Sequence, residues 1–278
     1  MSVRSPGRNL DDIGFEVLRI GVIAVLLAVI VVPFIYVVSV SFRSPSEFFT
    51  AGIYLIPKEP TLVPWTESFG ILSEPLKNSL LIASGTMIIS LIITIPGAYV
   101  FGRKEFPGKR IGFYGIVVAL MFPYIILVIP LADIWYDLQI HDTVPGMWIA
   151  YQTFVAPFAI WILRDFFEKL PTDLEEAARV YGCTQWGAFV RVILPLSAPA
   201  IAAVGFLAFL VGWNDYLFSS MLTTGSGVRP AIVELFTTTT GSERNYWALV
   251  MAQTLIVGTP PAVLYMIARR HITNAFAV

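Results

Sequence analysis

Six long apolar runs constrain the fold of this chain more than any other feature of its sequence. Each run is 21 to 25 residues long and contains no Asp, Glu, Lys or Arg. The runs cover residues 20–42, 78–102, 111–132, 143–163, 192–214 and 245–268. A helix needs roughly 20 apolar residues to cross the hydrocarbon layer of a membrane. Six buried helices of a soluble protein would carry charges on their exposed faces, so the runs predict an all-α, polytopic membrane protein with six transmembrane helices.

The composition supports this prediction and excludes several kinds of site. The chain is 56% hydrophobic and only 13% charged, which is typical of a membrane protein. A net charge of −1 gives no reason to expect a nucleic-acid partner. Cys183 is the single cysteine, which excludes an internal disulfide and a cysteine metal cluster. We expect no metal site, and we expect His141 to lie on the surface.

The basic residues predict how the chain is oriented in the membrane. With the N-terminus in the cytosol, thirteen Lys and Arg residues fall on the inner side and five on the outer side, whereas the acids divide almost evenly. An excess of Lys and Arg marks cytosolic loops. We therefore expect both termini inside, a cytosolic lead at residues 1–19 and a six-helix transmembrane domain at residues 20–278. The loop at residues 171–196 is then cytosolic.

This cytosolic loop has the pattern of two short helices. Thr172 and Glu175 have the spacing of a capping box, and Glu175 and Arg179 have that of an ion pair on the solvated side. Gly182 suits the position that ends a helix, and Thr184 can start a second one. A small, apolar face is predicted from four residues at helical spacing, Leu174, Ala177, Ala178 and Tyr181. Such a helix suits docking into a groove of a partner.

The same loop resembles the "EAA" loop of permease subunits in ATP-binding-cassette importers. The matching residues are Glu176, Ala177, Ala178, Gly182, Phe189, Ile193, Pro195 and Leu196. In that family the loop is a coupling helix that sits in a cleft of a cytosolic ATPase. The resemblance implies ATPase-coupling roles for Glu175, Glu176, Ala177, Ala178, Tyr181, Gly182 and Phe189. Tyr181 departs from the family, which usually has an acidic residue there.

Two outer segments resemble sugar-importing members of this family. The first, residues 43–77, contains Pro57, Pro60 and Pro64, which predict an extended segment. It is either a connector or a resting place for an external binding protein. The second is the end of the fifth run, Trp213, Asn214, Asp215 and Tyr216. An acid at this position is a functional candidate. These four residues belong either to a substrate path or gate, or to an interfacial cap.

The cytosolic turn at residues 102–110 contains glycine and lysine but lacks the spacing of a phosphate-binding loop. We therefore expect no catalytic residue and no cofactor in this chain, with ATP and Mg²⁺ bound by partner ATPases. A secondary transporter would need repeated halves with interrupted helices, and a membrane enzyme would need clustered acids or histidines. His141 and His271 are predicted on opposite sides of the membrane.

The resemblance extends over nearly the whole chain and is strongest to the second permease subunit of maltose- and trehalose-type systems. It implies a type I importer architecture in the cell membrane and a carbohydrate substrate, either a di- or an oligosaccharide. It also implies a second permease subunit, two cytosolic ATPase subunits, an external sugar-binding protein and membrane lipid as partners.

Overall fold

The computed structural model describes residues 10–44, 46–47, 55–225, 227–240 and 246–275, with the side chains of those from 14 to 269. This part of the chain is built from helices and short turns and contains no strand. The helices are α1 (Leu10–Val40), α2 (Val63–Arg103), α3 (Lys109–Met121), α4 (Tyr124–Asp137), α5 (Val144–Lys169), α6 (Asp173–Val180), α7 (Gln185–Ala188), a π-helical turn (Phe189–Ile193), α8 (Leu194–Leu196), α9 (Ala198–Asn214), α10 (Leu217–Leu222), α11 (Ala231–Thr240) and α12 (Trp247–Ala275).

The described residues contain between four and six candidate membrane spans, by their length and composition. Four helices, α1, α2, α5 and α12, are long and apolar enough to cross a membrane. Two further spans form if each of two bent helix pairs is one span, and these pairs are Lys109–Leu120 with Tyr124–Asp137 and Gln185–Leu196 with Ala198–Asn214. The predicted all-α, multi-span fold is confirmed.

The third apolar run forms two helices with a sharp bend between them. α3 and α4 meet at an angle of 97°. The break lies at Phe122, whose backbone is extended, and Pro123 follows it. A proline lacks the backbone N–H of a helix and disfavours a helical conformation in the residue before it. Pro123 therefore gives a local cause for the bend.

The second helix begins earlier than predicted. α2 has 41 residues and starts at Val63, so residues 63–77 are helical and our prediction of an extended segment is wrong for them. Pro64 is compatible with this start because the first turn of a helix needs no donor from the backbone. Residues 48–54 of the same segment lie outside the described residues. α1 likewise includes residues 10–19 of the predicted lead, of which residues 1–9 are outside the description.

The chain divides into two compact units, one of Met1–Phe69 and Ser242–Leu255, the other of Gly70–Gly241 and Ile256–Val278. In the first unit the rings of Phe42 and Trp65 stack with centroids 5.5 Å apart. There the Ser68 hydroxyl also donates to the carbonyl oxygen of Leu249 at 3.4 Å.

Close helix packing organises the second unit, which contains both candidate sites. α5 packs against α3 and α9. α2 approaches α9 so closely that a Cβ atom on Gly212 would lie 2.9 Å from the Cα of Ala83. Small residues allow helix backbones to approach in a membrane, and a larger side chain at Gly212 would separate the two helices. One apolar cluster surrounds Tyr151 and Phe218, and a second surrounds Tyr99.

Candidate coupling surface and transport cavity

The loop at residues 171–196 folds as two helical segments separated by a tight turn. Gly182 has a positive φ of 89°, which glycine adopts without steric cost. Its N–H donates to the carbonyl of Arg179, and the N–H of Cys183 donates to that of Ala178, both at 3.0 Å. This pair of bonds is the Schellman arrangement that ends a helix. Thr184 caps the second segment by accepting from the N–H of Gly187 at 3.0 Å. Both predicted helix boundaries are confirmed.

The predicted capping box at the start of α6 is wrong. The backbone of Thr172 is already helical, and its side chain makes no capping hydrogen bond. The Glu175 side chain does not pair with Arg179 on the solvated side but is only 15% exposed and lies beside the end of α2. There its carboxylate contacts Arg103 Nε at 3.0 Å and Lys104 Nζ at 3.5 Å. A partner 72 residues away, which no local spacing identifies, has replaced the local one.

Arg103 contacts two elements besides its own helix. One guanidinium nitrogen donates to the carbonyl of Leu170 at 2.6 Å, and another donates to that of Pro171 at 3.1 Å. These carbonyls lie at the end of α5 and directly before α6. The planar guanidinium can serve several acceptors at once. We call this group, formed by Arg103, Lys104, Glu175, Leu170 and Pro171, the Arg103 clamp.

A separate ion pair lies in the turn that follows α2. Lys109 Nζ contacts Glu105 Oε1 at 2.8 Å, and the Glu105 side chain is 89% exposed. The hydrogen bond and the charge of Lys109 together lower the pKa of Glu105. Because the Glu105 side chain is open to solvent, the pair contributes little to stability.

The two alanines of the predicted docking face point in different directions. Ala178 is buried, whereas Ala177 is exposed. Exposed apolar side chains continue this outer surface, with Val180 at 85%, Tyr181 at 89% and Trp186 at 64% exposure. We call the surface formed by Glu176, Ala177, Val180, Tyr181 and Trp186 the exposed face of α6 and α7. Large exposed apolar side chains outside the lipid layer are typical of an interaction site.

Phe189 lies inside the chain and not on this face. Its ring is 4.3 Å from that of Tyr99 and 5.1 Å from that of Trp186, measured between centroids. Phe167 closes the cluster from α5. Of the seven predicted coupling residues, Glu175, Ala178 and Phe189 thus contact this chain itself, while Glu176, Ala177, Tyr181 and Gly182 are exposed. Contact of any of them with an ATPase stays a prediction.

At the far end of α9, three of the four predicted path residues line one cavity. The cavity measures about 760 Å³ and lies against α4, α5 and α9. Asn214, Asp215 and Tyr216 supply polar groups at one end, and Tyr124 and Phe154 supply aromatic rings. Most of the remaining wall is aliphatic. Cavities of this size and character are typical of small-molecule sites, although their role here stays a prediction.

Asp215 organises the turn between α9 and α10. Its Oδ2 atom accepts from the N–H of Phe218 at 2.9 Å and from that of Ser219 at 3.2 Å. The hydroxyl of Tyr151 donates to the same oxygen at 3.1 Å and lies 2.8 Å from the Ser219 hydroxyl. The carboxylate therefore accepts from the first turn of α10 and also lines the cavity. Its role in a substrate path or gate, or as an interfacial cap, stays a prediction.

Trp213 is not part of the cavity wall. Its indole N–H donates to the carbonyl of Val257 at 3.0 Å, and its ring stacks on Phe209. The side chain is only 1% exposed. Helical geometry turns successive residues by about 100°, so Trp213 and Asn214 point in different directions.

His141 is also placed differently from our expectation. Its side chain is only 7% exposed and stacks on Tyr136 with centroids 4.1 Å apart. One ring nitrogen lies 3.1 Å from Asp142 Oδ2, and the other lies 3.1 Å from the carbonyl oxygen of Met221. The histidine links the turn after α4 to the end of α10.

Sequence reasoning missed the residues that hold these sites in place. In the sequence, Arg103 and Lys104 contributed only to the charge distribution that predicts orientation. Tyr151 was only one residue of the fourth apolar run. No spacing in the sequence links them to Glu175 or Asp215, since the contacts join separate helices.

Comparison with known proteins identifies the family. The model of the family described as "binding-protein-dependent transport system inner membrane component" matches residues 94–277. The chain belongs to this family. This permease is 34% identical to the trehalose transport system permease protein SugB of Mycobacterium tuberculosis, over 77% of this chain and 82% of that one. It is 31% identical to the trehalose/maltose transport system permease protein MalG of Thermococcus litoralis, over 90% of this chain and 91% of that one.

Solved structures include a similar fold. The permease matches a chain from the crystal structure of a bacterial ABC transporter involved in the import of the acidic polysaccharide alginate. The TM-score is 0.84, and the match covers 96% of the permease and 99% of that chain at 22% identity. The expected importer-permease architecture is confirmed.

Proposed function

We propose that this permease carries a carbohydrate into the cell as one subunit of an ATP-driven complex. The two relatives compared above are named for transport of trehalose or of trehalose and maltose, which supports a di- or oligosaccharide substrate. The complex also contains a second permease subunit, two cytosolic ATPase subunits and an external sugar-binding protein. ATP and Mg²⁺ bind to the ATPase subunits, and this chain contributes no catalytic residue.

The observation that carries the proposal is the two-sided character of α6 and α7. On the inner side, Glu175 attaches α6 to α2, and Phe189, directly after α7, packs on Tyr99 of α2 and Phe167 of α5. Their outer side presents Ala177, Tyr181 and other exposed residues. An element attached on one side and apolar on the other can transmit the movement of a partner. Closure of the ATPase subunits displaces this element, and the spans change between inward-open and outward-open states.

The cavity beside Asp215 is the proposed substrate path. Sugars combine apolar faces with many hydroxyl groups, so aromatic rings beside a few polar groups form a suitable surface. Tyr124, Phe154 and Tyr216 supply the rings, and Asn214 and Asp215 supply polar atoms.

Reconstitution of the whole complex in proteoliposomes tests this function. We expect uptake of labelled trehalose or maltose to require ATP on the ATPase side and the binding protein on the other. Omitting the ATPase subunits is the control and should abolish uptake. Uptake that follows an imposed proton or sodium gradient without ATP would overturn the proposal in favour of a secondary transporter.

We further propose that both termini and the exposed face of α6 and α7 lie in the cytosol, as the distribution of Lys and Arg supports. A cysteine at Ser46 should react with a membrane-impermeant thiol reagent in intact cells, in a background where Cys183 is serine. A cysteine at Tyr181, which is 89% exposed, should react only after permeabilisation. Reaction of the Tyr181 position in intact cells would reverse the proposed orientation.

A further inference from the structure

The last two turns of α2 hold the 171–196 loop at two separate points. The first point is the Arg103 clamp, in which one side chain donates to Glu175, Leu170 and Pro171. The Arg103 side chain is only 5% exposed, so these bonds are shielded from water. A charge-assisted pair that is removed from solvent has a more defined geometry than an exposed pair.

The second point is aromatic and lies one helical turn earlier. The Tyr99 ring packs on Phe189 of the π-helical turn, with centroids 4.3 Å apart. Lys104 Nζ lies 4.8 Å from the centre of the same ring. The first half of the loop is therefore held by Arg103 and the second half by Tyr99. Because both residues belong to one helix, the loop cannot rotate about either point alone.

The other part of α2 holds an outer segment in a similar way. The Asn78 side chain donates to the carbonyl oxygens of Gly227 and Arg229 at 3.2 and 3.1 Å. The hydroxyl of Ser79 accepts from the N–H of Ala231 at 2.8 Å. Asn78 and Arg103 are separated by 25 residues of one helix, which corresponds to about 37 Å.

From this arrangement we propose that Arg103 is a positioning residue that makes the 171–196 loop move together with α2. This inference rests on the proposed coupling to an ATPase. Displacement of the exposed face of α6 and α7 is carried by the Arg103 clamp into α2 and along it toward residues 227–231. Without the clamp an ATPase can still bind the loop, but only the contact of Tyr99 with Phe189 then attaches the loop to α2, so its first half moves independently of α2.

The attachment can be measured without an ATPase. Spin labels at Val100, which is 41% exposed, and at Val180 of α6, which is 85% exposed, report the distance from α2 to the first half of the loop. The purified full chain carries Cys183→Ser as background. We expect a narrow distance distribution in this background and a clearly broader one with Arg103→Gln. Lys109→Gln, which removes the exposed pair with Glu105, is the matched control and should leave the width unchanged.

Glu175→Ala provides a second variant should Arg103→Gln fail to fold. It removes the ion pair but keeps the donors for Leu170 and Pro171, and we expect it to broaden the distribution as well. An unchanged width in Glu175→Ala, or in a folded Arg103→Gln, overturns the proposal. Because no ATPase is present, either result is independent of the proposed function.

Coupling in the complete complex gives the functional readout. In Arg103→Gln we expect the ATPase subunits to co-purify and basal hydrolysis to persist, while stimulation by loaded binding protein falls about tenfold. Arg103→Lys keeps the charge but cannot reach all three oxygens, so it should lose less of the stimulation than Arg103→Gln does. Wild-type stimulation in Arg103→Gln overturns the inference. Absence of stimulation in the wild-type complex contradicts the proposed function instead. The spin-label distances then still test whether the Arg103 clamp attaches the loop to α2.

Discussion

Glu175 and Asp215 are both partly buried carboxylates with more than one polar partner, but they organise the chain over different distances. Glu175 joins α6 to Arg103 and Lys104, across 72 residues of sequence for the arginine. Asp215 mainly accepts from backbone groups three and four residues later, with Tyr151 as a distant partner. The first acid attaches an exposed loop to a long helix, and the second holds a turn beside a cavity. In the mechanism we propose, similar residues thus serve transmission at one site and shape at the other.

The largest effect on folding should come from a substitution on the buried side of α6, which distinguishes it from the exposed side. Ala178→Asp places a charge in a buried position, and a buried charge without a partner costs several kcal/mol. We expect loss of folded permease in size-exclusion chromatography. Ala177→Asp and Glu176→Lys alter only the exposed face, so both should fold normally but lose substrate-stimulated ATP hydrolysis. If Ala177→Asp and Ala178→Asp gave the same yield of folded permease, the inner and outer sides would not differ as we describe.

Gly182→Val tests whether the turn geometry of the coupling region matters. A φ of 89° costs a residue with a Cβ atom about 1–2 kcal/mol, and more if it is β-branched. We expect stimulated ATP hydrolysis to be abolished while the spans still insert and pair with the other permease. Asn tolerates positive φ better, so Gly182→Asn should retain most activity. Equal activities in the two variants would contradict a requirement for this backbone conformation.

At the cavity we expect Asp215→Ala to impair the permease less than the substitutions in α6 and at Gly182 do. It leaves the Phe218 and Ser219 N–H groups and the Tyr151 hydroxyl without their shared acceptor, a cost of about 1–3 kcal/mol. Thermal stability in detergent and sugar uptake should both fall. Asp215→Asn keeps an acceptor oxygen and should recover most of the stability. If it recovers uptake as well, shape and capping matter at this site more than charge.

Trp213→Phe should have the smallest effect and separates Trp213 from its neighbours. It removes one hydrogen bond to Val257 and leaves a small gap where the larger indole packed, at a cost of about 1–3 kcal/mol, but the wall of the transport cavity stays intact. We expect a slightly lower melting temperature and unchanged uptake. Tyr216→Ala is the matched comparison, because this ring lines the cavity, and it should reduce uptake more than stability. Impaired transport in Trp213→Phe with normal Tyr216→Ala would exchange the roles we assign.

Local sequence pattern by itself determined the helical fold, two helix boundaries and the family of this protein. The apolar runs predicted the helices because a spanning segment must be long, apolar and internally hydrogen-bonded. Gly182 and Thr184 predicted two helix boundaries, since capping depends on residues within a single turn. The spacing from Glu176 to Leu196 indicated the permease family, which the match to residues 94–277 shows.

Only the tertiary structure decided which partners these residues have. Glu175 had a plausible partner in Arg179, but the end of α2 brought Arg103 and Lys104 closer. Ala178 became part of the interior and Ala177 did not, although the sequence pattern placed both alanines on one face. Phe189 lies inside because it packs on Tyr99 of α2 and Phe167 of α5. Trp213 turned away from the cavity toward Val257 of α12. Contacts between helices depend on how the helices pack, and the spacing within one helix carries no record of that.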